Sequence, residues 1–162
     1  MAYSIREYRD GDATALARLL AEAIAVIGPH RYSEAQVAAW GARHPGPDRL
    51  KQRVDDGAMI FVAADSHDVP VAYAMLEPDG HLDHLYCHPD HTRRGLALEV
   101  LMAAESKARQ LGVERLFTEA SELARAAFER AGYEVTHRRD FEIVHDGKAV
   151  PIHNYAMEKR LD

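Results

Sequence analysis

Chemistry-bearing side chains crowd into one stretch of the chain, His81-Leu82-Asp83-His84-Leu85-Tyr86-Cys87-His88-Pro89-Asp90-His91. Carboxylates and imidazoles accept protons near neutral pH, so Asp83 and His81 are candidate general bases, with His84 a third. Strand alternation puts His81, Asp83, Leu85 and Cys87 on one face and His84 with Tyr86 on the other. The same alternation speaks against a metal site built from His81, His84, His88 and His91, because strand residues three apart diverge; no metal is expected. Cys87 could act as a nucleophile beside a histidine, but a small apolar residue in a buried strand accounts for it better. Directly downstream, Thr92-Arg93-Arg94-Gly95-Leu96-Ala97 leads into a helix. A strand-to-helix turn presents unpaired amides and the positive end of a helix dipole, which suits a phosphate or pyrophosphate. Gly95 and Ala97 let the backbone approach closely, and Arg93 and Arg94 add positive charge. An ordinary turn with solvated arginines accounts for the same residues. Neither Gly-Lys-Ser/Thr nor Gly-x-Gly-x-x-Gly is present, which excludes the common nucleotide loops.

The elements that must position these residues alternate between helical and strand periodicity, so the chain reads as mixed α/β. Tyr3–Tyr8 is a short strand, and Asp10 and Asp12 offer N-caps to a helix carrying Leu16, Leu19, Leu20, Ala23 and Ile27, stopped by Gly28-Pro29. Ser33-Glu34-Ala35-Gln36 is a capping box for a second helix with Val37 and Trp40 on one face, broken by His44-Pro45-Gly46-Pro47. Residues 48–55 form a third, short helix. Residues 59–64, 69–76 and 81–87 follow as strands at hairpin spacing, an antiparallel meander. Residues 95–111 give the strongest helix, with the stripe Ala97, Val100, Leu101, Ala104, Ala108 and Leu111 and a stop at Gly112. A strand at 115–119, a helix at 121–131 and two strands around Asp146-Gly147 complete the pattern.

Leu85-Tyr86-Cys87-His88-Pro89-Asp90 followed by Thr92-x-x-Gly95-x-Ala97 resembles the signature of the GNAT superfamily of acyl-CoA-dependent N-acetyltransferases. Ser121-x-x-Ala124-x-x-Ala127-Phe128-x-x-x-Gly132-Tyr133 is similar to that family's second landmark, at the expected distance downstream. Asn154–Lys159 resembles the last strand of one bacterial branch. The resemblance implies a mixed, mostly antiparallel central sheet of about seven strands flanked by helices, spanning residues 1–162 as one domain. It implies acetyl-CoA as cosubstrate, held by Leu85, Tyr86, Cys87, Thr92, Arg93, Arg94, Gly95, Leu96, Ala97, Ser121, Ala124 and Phe128. It also implies direct attack by a primary amine, with the Cys87 N–H stabilising the oxyanion and Asp83 or His81 taking a proton directly or through water. Tyr32, Trp40 and Tyr73 are candidates for the acceptor pocket, although core packing explains Trp40 equally well. Three positions depart from the family pattern. Thr92 stands for Arg or Gln, Ser121 for Asn, and Phe128 for the tyrosine that protonates the departing thiolate.

The 162 residues carry 20 Lys and Arg against 26 Asp and Glu, a net charge of −6. That balance argues against a nucleic-acid binder. A single cysteine excludes a disulfide framework, and no apolar run reaches the ~18 residues of a membrane span. The expectation is a cytoplasmic enzyme acting on a small-molecule or protein amine, with a homodimer left open. Asp55, Asp56, Asp65, Asp68, Asp79 and Asp83 favour a cationic acceptor. The alternative reading is a catalytically silent CoA-binding regulator or partner-binding module.

Overall fold

The computed structural model describes residues 2–44 and 46–162. Among the described residues seven strands are present, as expected, but they form two sheets rather than one continuous sheet. The first runs β1 (Ser4–Glu7), β2 (Met59–Ala64), β3 (Pro70–Leu76), β4 (Leu82–Cys87), with every neighbouring pair antiparallel. The second contains β5 (Arg115–Ala120), β6 (Glu134–His145) and β7 (Lys148–Arg160), with β7 in the middle. One parallel bridge, His81 to Phe117, joins them.

Five helices flank the sheets: α1 (Ala13–Ile27), α2 (Glu34–Gly41), α3 (Pro47–Asp55), α4 (Leu96–Gln110) and α5 (Arg125–Arg130). Leu16, Leu19, Leu20 and Ala23 of α1 are buried as their spacing predicts, while Ile27 is only half-buried. Asp12 does not cap α1 with its side chain. Its carboxylate takes both ends of the Arg6 guanidinium at 2.8 and 2.9 Å and the Arg9 amide at 2.8 Å, tying β1 to the helix start. The Ser33–Gln36 capping box forms in both directions. Pro45 of the expected helix break lies outside the described residues.

The buried stripe of α4 is Leu96, Val100, Leu101, Ala104 and Ala108, so it starts one residue before the predicted stripe and ends before Leu111, which is half-exposed at the helix end. α5 is shorter than the predicted 121–131. Residues 121–124 form a turn in which the Ala124 and Arg125 amides donate to the Ser121 carbonyl. Asp146 and Gly147 both have positive φ, 51° and 75°, the two-residue hairpin geometry that joins β6 to β7 without splaying them.

Three apolar clusters hold these layers. α4 and α5 pack with β3 and β7 around Leu76, Leu101 and Met157. α1 and α3 cover the other face of the first sheet through Leu16, Leu50 and Tyr73. Tyr32 and Ala39 pack beside Ile143 and Ile152 of the second sheet.

Candidate active site

The site begins with a gap in the hydrogen-bonding pattern. In β3–β4 the pairs are Ala72–Cys87, Tyr73–Tyr86 and Ala74–Leu85, and the His88 amide donates to the Val71 carbonyl at 2.8 Å. Antiparallel pairs alternate between bonded and non-bonded, so Tyr86 spends its backbone groups on β3. Those of Leu85 and Cys87 point the other way, toward β5. The two strands touch near His81 and Phe117, and Thr118 Oγ1 donates to the Leu82 carbonyl at 2.6 Å. Beyond that point β4 and β5 have no ladder, and the Leu85 and Cys87 amides face open space between the sheets.

Two clefts of about 480 and 490 Å³ meet at this parting and share Trp40, Leu85, Tyr86, Ser121 and Ala124. The second runs from Leu85 and Cys87 to the start of α4 and is lined there by Thr92, Arg93, Gly95, Leu96 and Ala97. Gly95 adopts φ 75° at the N-cap and Arg93 φ 62°, a left-handed conformation that disfavours non-glycine residues by about 1–3 kcal/mol. The first α-helical bond runs from the Glu99 amide to the Gly95 carbonyl, so the amides of Leu96, Ala97 and Leu98 precede any intrahelical acceptor. A long, partly apolar groove ending at free amides and an arginine fits a pantetheine chain with a pyrophosphate. Of the predicted cofactor residues, this arm contains all but Arg94 and Phe128.

The first cleft is the other arm. Its chemistry gathers at a bulge in β4: Leu76 pairs with Leu82 and Met75 with His84, leaving Asp83 without a partner on β3. The bulge overturns the strict alternation read from the sequence. Asp83 and His84 approach each other, with Oδ2 3.7 Å from Nε2, instead of pointing to opposite faces. Asp83 Oδ2 also accepts a 2.7 Å ion pair from Arg53 of α3. Burial pushes the Asp83 carboxyl up, but the Arg53 guanidinium and the His81 imidazolium outweigh it and hold the acid below the usual carboxylate range. His84 is buried against Tyr73, whose hydroxyl lies 2.9 Å from Nδ1. Burial drives its imidazole down to about 3, so it is neutral at physiological pH.

His81 is held differently. Its Nε2 lies 2.8 Å from Glu119 Oε1 and its Nδ1 2.6 Å from Glu77 Oε1. The hydrogen bond it donates to Glu119, opposed by burial and reinforced by Glu77, raises it to about 9. It is therefore an imidazolium at neutral pH and has no lone pair to offer. Glu77, His81 and Asp83 lie close enough together to suggest a cation site, yet Arg53 and the protonated His81 already balance these carboxylates.

The remaining predicted residues separate clearly. Tyr32 and Trp40 line the first cleft, whereas Tyr73 is completely buried behind His84 and lines neither. Among the described residues, no histidine side chain is hydrogen-bonded to the Cys87 sulfur. Its thiol donates to the His88 and His91 carbonyls, and burial pushes it up to about 11, so it stays protonated and poorly nucleophilic. Ser121 Oγ accepts the Ala124 amide at 3.1 Å, and Phe128 packs edge-on to Tyr133 at 5.0 Å while lining the first cleft. Neither Tyr133 nor Tyr155 lines either cleft, and the Tyr155 hydroxyl donates to Glu122. The sequence reading missed Arg43, His44, Arg49, Arg53, Glu119 and Arg139, all of which line the first cleft. They come from α2's end, α3, β5 and β6, so no local motif marks them.

The family model described as an acetyltransferase (GNAT) domain matches residues 30–157, which include both landmark segments. The uncharacterized N-acetyltransferase YafP of Escherichia coli (strain K12) is 28% identical over 141 residues, covering 85% of each chain. A GCN5-related N-acetyltransferase (Aminotransferase, Class-II) structure from Rhodopseudomonas palustris superposes with a TM-score of 0.86 at 29% identity, covering 99% of this chain and 97% of that one. The PaiA N-acetyltransferase of Thermoplasma acidophilum, solved with coenzyme A, shares the fold with a TM-score of 0.77 at 17% identity, covering 99% of this chain and 100% of that one.

Proposed function

The chain belongs to the acetyltransferase (GNAT) family, and from that premise we propose that its two-armed cleft transfers acetyl from acetyl-CoA to a primary amine, with Asp83 drawing off the proton. The observation that carries this reading is the meeting of the two arms at Leu85 and Tyr86, beside backbone amides that β5 leaves unpaired. When bound, acetyl-CoA supplies a thioester carbon for the amine: the C–N bond forms, the C–S bond breaks, and of the two protons lost by the ammonium one ends on the thiol and one in solvent. The Cys87 N–H is placed to donate to the carbonyl oxygen as charge develops there. The Leu85 backbone can hold an extended arm as an added strand would be held. Arg93 and the first α4 amides take the pyrophosphate, and Ser121 and Ala124 line the passage between arms. Asp83 accepts the proton, directly or through water, because it is ionised and faces the acceptor arm, whereas His81 is already protonated. We place the reaction in the cytoplasm, which keeps a lone thiol such as Cys87 reduced.

The test combines two measurements. Acetyl-CoA should raise the melting temperature by mass action, and a panel of primary amines should release free thiol from it. A rise without thiol release from any amine would mark a CoA-binding protein rather than an enzyme.

Phe128 stands where the family's acid would be. A thiol with a pKa near 8.5 leaves unprotonated at pH 7 with a handicap of only about 2 kcal/mol, so turnover does not require that acid. Phe128→Leu is expected to lower stability through lost packing while slowing the chemical step less than about tenfold. Phe128→Tyr, with the ring at the cleft wall, is expected to match or exceed the parent rate. Single-turnover thiol release checks both, and a strong drop with Tyr would show that position 128 does not face the thioester.

The His81 ion pairs also make stability depend on pH. The folded-state value of about 9 lies above the ordinary 6.5, so their contribution is complete below about pH 6.5 and drains away as pH rises through 9. Denaturant unfolding at pH 6 and pH 9.5 should show this loss in the parent and a smaller one in His81→Gln. Equal losses in both would remove His81 as the cause.

A further inference from the structure

The acceptor arm is positive in an acidic protein. Arg43, Arg49, Arg53 and Arg139 line it against two carboxylates, Asp83 and Glu119, in a chain of net charge −6. Both carboxylates are engaged, Asp83 by Arg53 at 2.7 Å and Glu119 by His81 at 2.8 Å. Arg139 donates to the neutral Asn154 Oδ1 at 3.0 Å. Among the described residues, no carboxylate pairs with Arg43 or Arg49. The neighbouring histidines do not offset the charge, because burial holds both His44 and His84 below the ordinary histidine value and His81 is cationic. Leu20, Leu50, Phe141 and Ile152 supply an apolar wall between these groups.

Resting on the transferase reading above, we propose that the acceptor is a small primary amine that carries its own anionic group, a carboxylate or phosphonate, which Arg43 and Arg49 bind while the amine faces Asp83. This replaces the cationic acceptor that the scattered aspartates suggested. Of those residues only Asp83 lines the cleft. A guanidinium is a planar fork that matches a carboxylate or phosphonate with paired hydrogen bonds. The same cations favour the neutral amine over the ammonium, because like charge lowers the pKa of a bound cationic acid. Recruiting the anion and releasing the proton are then two effects of one charge distribution. An unmodified alkyl amine would find the arm repulsive in its ammonium form.

The test uses matched amines of one skeleton: an α-amino acid, its aminophosphonate, and the amine lacking the acid group. Thiol release is measured with saturating acetyl-CoA, and binding to the CoA-loaded protein by titration calorimetry, which needs no turnover. Both acid-bearing members are expected to exceed the amine lacking the acid group by at least tenfold in kcat/KM and in affinity. Arg43→Gln and Arg49→Gln should each raise KM for the anionic amines about tenfold, with Arg49→Lys recovering part of the loss. The KM for acetyl-CoA should stay unchanged, and neither Gln variant should raise KM for the amine lacking the acid group. Equal use and binding of members with and without the acid group, or no detectable binding of either acid-bearing one, overturns the proposal. Selective anion binding without thiol release from any amine would retain the anion site and overturn the transferase reading alone.

Discussion

Asp83→Asn is expected to lower kcat by 10²–10⁴ at pH 7 with a reactive amine, the range that general-base catalysis contributes. The loss should be greatest at low pH, where the amine is protonated, and should shrink as pH approaches the amine's own pKa near 10. Affinity for acetyl-CoA should not change, because Asp83 lines the acceptor arm and not the cofactor arm. The fold should also persist, since Arg53 retains Glu77 at 3.5 Å when Asp83 is neutralised. His81→Gln is the informative partner. An imidazolium held by Glu77 and Glu119 removes no proton, so its replacement should change kcat only a few-fold. A pH–rate profile that is flat for Asp83→Asn and collapsed for His81→Gln would reverse the assignment.

Gly95→Asp and Ala97→Glu should each weaken acetyl-CoA binding by at least about 100-fold. At ligand concentrations near 100 times the parent Kd, the parent gains about 2.7 kcal/mol from binding, and either variant would lose most of that rise. The cause is charge rather than crowding. A Cβ at Gly95 meets no atom within 4 Å, so the added carboxylate occupies free space beside the amides meant for pyrophosphate. Gly95→Ala separates the two effects. It carries only the left-handed backbone penalty of about 1–2 kcal/mol, which should appear as reduced stability with binding largely kept. Thermal shift with and without acetyl-CoA reads both quantities. Parent-like affinity in both acidic variants would place the pyrophosphate elsewhere.

The turn and helix of the proposed cofactor arm were legible because they are local. The Pro turn, Gly95 and the α4 stripe lie within about two dozen consecutive residues, and Gly95 takes the left-handed N-cap that its position demands. The meander was legible for a similar reason, since β2, β3 and β4 are joined by short turns. The acceptor arm was not. Arg43 and Arg49 converge with Arg139 from elements far apart in sequence, and nothing in their local spacing records it. The bulge at Asp83 was also hidden, because alternation assumes an unbroken ladder, and the Met75–Leu76 shift arises from pairing with another strand. The two-sheet division follows from the same kind of long-range fact. A strand's sequence shows that it pairs, but not where its neighbour leaves it.

That departure has a consequence for how the molecule holds together. With one bridge between His81 and Phe117, backbone continuity nearly ends between the two sheets. Among the described residues the halves are otherwise joined by side chains: Thr118 to the Leu82 carbonyl, His81 to Glu119, and the apolar cluster around Leu76, Leu101 and Met157. In the proposed binding mode, a cosubstrate arm laid along Leu85 and Cys87 would supply the missing rung. Binding would then do more than position a thioester: it would add a backbone link between two halves that side chains already hold together.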